Sequence, residues 1–176
     1  MGREIQVNRL DFMKDGSIVI NEDGCDDRFI CGRTDFTNDI ARLFYNRDAT
    51  YLIVDYEKGL EGKHHFKVKT KTFGEFDDDF ATISLNDVLE VCDEHIRIDE
   101  EELAREDKML EDAYMARRNT STVKDFSDFS DLIDSLKEHR KEYCESAKLY
   151  KKYITTLDLC HDDNVASCYI LLILSE

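Results

Sequence analysis

The sequence predicts an α+β fold: an N-terminal ββαββ module, about residues 1–74, packed on a helical C-terminal half with one long amphipathic helix, about 128–158. Three observations predict it. All seven glycines fall in the first 74 of 176 residues and proline is absent, so the remaining 102 residues lack both strong breakers of regular structure. Before Gly74, short β-branched and aromatic runs alternate with polar residues; after it, apolar residues recur at spacings of three and four. A hydrophobic content of 41% is periodic rather than sparse, and a chain near this length buries roughly 70% of its unfolded surface. One domain over 1–176 follows, with a β-rich region (1–74), an acidic helical segment (75–118) and a region of long helix plus buried C-terminal element (119–176).

In the first region, Glu4–Phe12 and Ser17–Ile20 flank Lys14-Asp15-Gly16, a hairpin signal with glycine available for positive φ. Ile5 and Val7 share one parity while Leu10 and Phe12 have the other, which predicts a bulge or early bend. Residues 21–33 read as a polar loop. Phe36, Ile40, Leu43 and Phe44 then repeat at helical spacing behind Thr34 and Asp35. Thr50–Tyr56 reads as a strand. So does His65–Phe73, where Lys67, Lys69 and Lys71 give a cationic face suited to a sheet edge.

Past Gly74, Ser84 is a good N-cap for a helix with an apolar stripe of Leu85, Val88, Leu89, Cys92 and Ile96. A second helix is expected from about Asp99, with Glu102 as its capping-box partner. From Phe129 to Leu157 a 4-3 spacing runs for four heptads, broken by Arg140; it serves either as an internal spine or as a dimer seam. Val165–Leu174 is a buried element whose length favours helix over strand.

No secretion signal or myristoylation motif stands at Met1–Val7, and the ten-residue apolar run 165–174 is about half of what a spanning helix needs. The six cysteines match no zinc or redox spacing, so free thiols in a reducing, cytoplasmic setting are expected. His64-His65, Asp77-Asp78-Asp79 and Cys160-His161-Asp162-Asp163 lack the spacing of a metal site, and no metal or cofactor is expected. Cys92 with His95, and Cys144 near His139, are poor candidates for thiol catalysis, since a thiol on an apolar stripe is inert. The best enzymatic pattern is Asp55 followed by Glu61 and Lys63. It resembles the D…E-x-K arrangement of metal-dependent nucleases, in which two carboxylates hold the ion and the lysine stabilises developing charge.

Charge gives the strongest signal. The net formal charge is -16, and residues 75–112 alone carry 16 acids against three bases. Within it, Asp77, Asp78, Asp79, Asp87, Glu90, Glu94, Glu100, Glu101, Glu102, Glu106, Asp107, Glu111 and Asp112 are the candidate partner-binding residues. From Asp99 to Asp112 there is about one net charge per ~3.5 Å of helix axis, close to the ~3.4 Å per phosphate of a DNA strand. This predicts a non-enzymatic protein that binds and inhibits a basic nucleic-acid-binding partner, such as a nuclease or CRISPR effector, without touching nucleic acid or membrane itself. In type it is similar to the phage anti-restriction and anti-CRISPR inhibitors that mimic nucleic acid, a resemblance of composition confined to the acidic block. An immunity or antitoxin protein is the second expectation, the Asp55/Glu61/Lys63 nuclease the third, and homodimerisation through 129–157 a further possibility for partners. Mimicry requires the carboxylates to share a face that the chain's own bases leave open.

Overall fold

Six strands close into a barrel, and the helices cover one part of its outside. The structure is a computed structural model that describes residues 4–21, 34–55, 59–119, 122–143, 145–156 and 162–175. Strand β1 (Glu4–Met13) turns through Gly16, at φ +86°, into β2 (Ile18–Asn21). Helix α1 (Thr34–Tyr45) precedes β3 (Tyr51–Asp55), and β4 (Lys63–Thr70) turns into β5 (Gly74–Ser84). Three helices follow, α2 (Leu85–Arg118), α3 (Val123–Tyr143) and α4 (Ser146–Thr156), before β6 (Val165–Ser175). The closed order is β1-β2-β4-β5-β3-β6. The β3–β5 and β2–β4 pairs are parallel and the rest antiparallel. The β2–β4 seam is narrow, a single pair at Val19 and Lys69.

The barrel corrects the predicted fold class. The ββαββ elements form, but they do not make a separate module packed on a helical half. Their strands share one sheet with β5 and β6, which come from the supposedly helical region. Gly74, at φ +75°, lies in the β4–β5 turn rather than at an architectural boundary. Val165–Ser175 is a strand, not a helix. The long helix predicted at 128–158 is divided into α3 and α4, whereas 85–118 forms one continuous helix of 34 residues. Asp99, expected to start a helix, is instead buried in the middle of α2. Strand β4 is not an edge, since it lies between β2 and β5.

Burial on both sheet faces explains these departures. Ile5, Val7, Leu52, Val54, Ala81, Ile83, Ile170, Leu172 and Leu174 face outward, under α1, α2 and α4. Leu10, Ile20, Ile53, Val68, Phe80 and Leu171 fill the barrel interior. A strand buried on both faces reads as an unbroken apolar run, which is the pattern of β6. The irregularity expected in β1 falls at Phe12/Met13, not where the apolar parity changes. β1 pairs with β6 in register from Glu4 to Phe12, and its apolar residues change parity because they pass from the outer core to the interior.

Helix α2 starts at Ser84, whose Oγ accepts the Asp87 N–H at 3.1 Å. Its Val88, Cys92, His95 and Asp99 face the core. Along this half runs α4, with Tyr150 edge-on to Phe36 and Lys151 2.6 Å from Asp93. Beyond Asp99, α2 packs with α3 as an antiparallel hairpin, with Tyr114 against Phe126 at 4.8 Å and Arg117 over the Phe129 ring at 5.0 Å. Of the heptad positions, Ile133, Ala147, Tyr150 and Ile154 are buried within the same chain, whereas Leu136 is exposed. Cys92 is free and buried, but Cys168 is disulfide-bonded, which corrects the expectation of free thiols throughout. No described helix is long and apolar enough to cross a membrane.

Candidate functional site

The thirteen predicted partner-binding carboxylates do not share one face. Asp77, Asp78 and Asp79 sit on β5, on the barrel wall, while the other ten lie along α2. Among the described residues at least seven of the thirteen meet a base of the same chain: Asp79 with His65, Asp87 with Arg47, Glu94 and Glu101 with Arg97, Glu100 with Lys148, Glu106 with Arg140 and Glu111 with Lys137. Most of these bases come from strands or helices distant in the sequence, which is why local counting overstated the open charge. Hydrogen bonding from Arg97 holds the Glu94 carboxyl below its usual range, and bonding from Lys67 does the same for Glu75. Asp78 has the interior parity of Phe76 and Phe80; its Oδ1 accepts the Asp79 N–H at 2.8 Å. Glu102 is half-buried, and Asp77, Glu90, Asp107 and Asp112 make no ion pair among the described residues.

A better-placed anionic surface lies on α3. Asp128, Asp131, Asp134 and Glu138 are all exposed and, among the described residues, meet no base. Their spacings of three, three and four keep them on the side of α3 turned away from the Ile133 contact with α2. No lysine or arginine occurs from Asp125 to Leu136; Lys124 precedes this stretch, and Lys137, Arg140 and Lys141 flank Glu138 at its far end. The Lys137–Glu111 contact joins one flank of α3 to α2. Sequence reasoning missed these four because the window 75–112 absorbed attention through its density. The signal was legible as Asp125, Asp128, Asp131 and Asp134 at strict intervals of three.

Asp55 and Glu61 of the nuclease pattern line one cavity, but Lys63 does not join them there. Asp55 Oδ2 accepts the Leu60 N–H at 2.9 Å, capping the loop. Lys63 Nζ turns to Asp48, 3.1 Å from its carbonyl oxygen and 3.6 Å from its carboxylate. Among the described residues no group of three or more His, Cys, Asp or Glu is placed to hold a metal ion. His64 stacks inward on Phe66 while His65 points out to Asp79, so the His-His pair is split by strand alternation. His95 Nε2 donates to Asp39 Oδ2 at 2.8 Å rather than activating Cys92. Cys144, Cys160 and His161 lie outside the described residues. No protein-family model, curated protein or solved structure matches the chain.

Proposed function

We propose that this protein is a non-enzymatic binding protein that covers the cationic, nucleic-acid-binding surface of a partner protein, and that the contact is the α2–α3 hairpin rather than the whole of 75–112. The observation that supports it is the row Asp128, Asp131, Asp134 and Glu138, exposed on α3 and unopposed among the described residues. Carboxylates at these intervals stand about 4.5–6 Å apart along the axis, against ~3.4 Å per phosphate of a DNA strand. The row therefore imitates a phosphate strand in sign and linear form but at a coarser pitch. A lysine- or arginine-lined groove accepts it through steered encounter and release of counterions.

The test is displacement of labelled duplex DNA from a panel of basic proteins: a restriction endonuclease, a CRISPR effector nuclease and a histone-like protein. The chain is expected to displace DNA from at least one of them. Exposed ion pairs contribute about 0.2–1 kcal/mol each, so the combined D128N, D131N, D134N and E138Q variant should need about tenfold more protein. Failure to displace DNA from any member, or equal potency of the variant, refutes the proposal.

A further inference from the structure

Among the described residues one end of the barrel is an open mouth, and what lines it is unlike the rest of the molecule. A cavity of about 360 Å³ opens where β1 and β3 begin and β6 ends, bounded by inward-facing residues of all six strands and by the β4–β5 turn. In a chain that is 36% charged, none of the lining residues carries a charge. The floor is apolar, Ile20 and Ile173, and the walls carry the rings of Tyr51 and Phe76, 5.8 Å apart and tilted by 34°. Phe73, 80% exposed, stands at the rim.

Asn8 is the decisive residue. It is 4% exposed, lines the cavity, and its side-chain amide makes no hydrogen bond among the described residues. The amide faces the cavity rather than the packed core, and a polar group left without a protein partner there is satisfied by water or by ligand. The Tyr51 and Ser175 hydroxyls on the same cavity are likewise unbonded among the described residues. An aliphatic ligand would leave these groups unmatched, and a charged one would find no counter-charge. A flat ring matches the aromatic walls, and adjacent donor and acceptor atoms on its edge match an asparagine amide. The volume falls in the range of small-molecule sites, for which barrel mouths are a favoured place.

We propose that this mouth binds an uncharged planar heterocycle with a donor–acceptor edge, of the nucleobase or lactam type, with Asn8 reading the edge and the Tyr51–Phe76 wall packing against one face. The site shares no residue with the α3 surface, so either proposal stands if the other falls.

The test titrates the full chain with adenine, cytosine, uracil and 2-pyridone, with indole as a flat ring that lacks the acceptor, following amide and Asn side-chain NMR signals. At least one of the four is expected to bind with a dissociation constant below about 1 mM and to shift the Asn8 NH₂ pair, indole binding about tenfold more weakly. Asn8→Leu, of similar volume, should lose about tenfold in affinity while its melting temperature stays level or rises. Tyr51→Phe, which removes only the hydroxyl, gives a second reading and should bind severalfold more weakly. Three results overturn the proposal: no shift with any probe at about 10 mM, unchanged affinity in both variants, or a crystal grown with the ligand showing only ordered water against Asn8.

Discussion

Single side chains carry the links that bind the helices to the barrel, and several of them are buried polar groups. His95 is 5% exposed, donates to Asp39 and packs edge-on against Phe36 at 5.2 Å. Replacing it with alanine opens a cavity and orphans that contact, so His95→Ala should cost about 2–3 kcal/mol in urea unfolding. On the opposite wall, the Asp79 carboxylate accepts a hydrogen bond from His65 at 2.8 Å and raises its pKa above the ordinary histidine value. The folded form thus binds the proton more tightly than the unfolded one. The small stabilisation this gives is present below the unfolded value and is lost as pH rises through the folded one. An NMR titration should place the His65 midpoint above about 6.5, and Asp79→Asn should bring it back. The Ser84 cap was legible in the sequence, since cap chemistry is local. The His95–Asp39 bond was not, because 56 residues separate its partners.

At the scale of elements, the β1–β2 hairpin, α1 and the Ser84 cap were legible, while the cap read at Asp99 lies inside α2. β4 shows the lysine alternation of a half-exposed strand, and α1 shows its four-residue repeat. β6 was misread because apolar residues on both faces erase the period that separates strand from helix. Absence of glycine and proline after Gly74 was no guide either, since β5 and β6 need neither breaker inside them. Ser84→Ala should destabilise the chain by about 1 kcal/mol, through loss of the bond to the Asp87 N–H. The α2–α3 hairpin makes a different prediction. α3 packs chiefly on α2, so its stability is local. Ile133, 5% exposed, fills that contact. Ile133→Ala should speed amide exchange across α3 by about thirtyfold or more while β1 and β6 keep their protection. Equal acceleration in the strands would show that hairpin and barrel unfold as one unit.

For the molecule as a whole, closure was the least legible property. It joins Glu4 to Ser175 across almost the full chain and pairs β3 in parallel with β5, contacts that no local pattern encodes. The same long reach governs charge. Arg47, Lys148, Lys151, Lys137 and Arg140 come to α2 from elsewhere in the chain, and the acidic block that dominates the sequence is partly neutralised in space. The α3 row stays open, as do Asp77, Glu90 and Asp112 among the described residues. The direct comparison is between two neutralised surfaces measured against whichever panel protein binds best, from about 50 to about 300 mM salt. D128N/D131N/D134N/E138Q should weaken binding by about tenfold and flatten its salt dependence, while E75Q/D77N/D79N on β5 should stay within about twofold of the unaltered chain. The reverse order, with the β5 variant crippled and the α3 variant intact, would contradict the account.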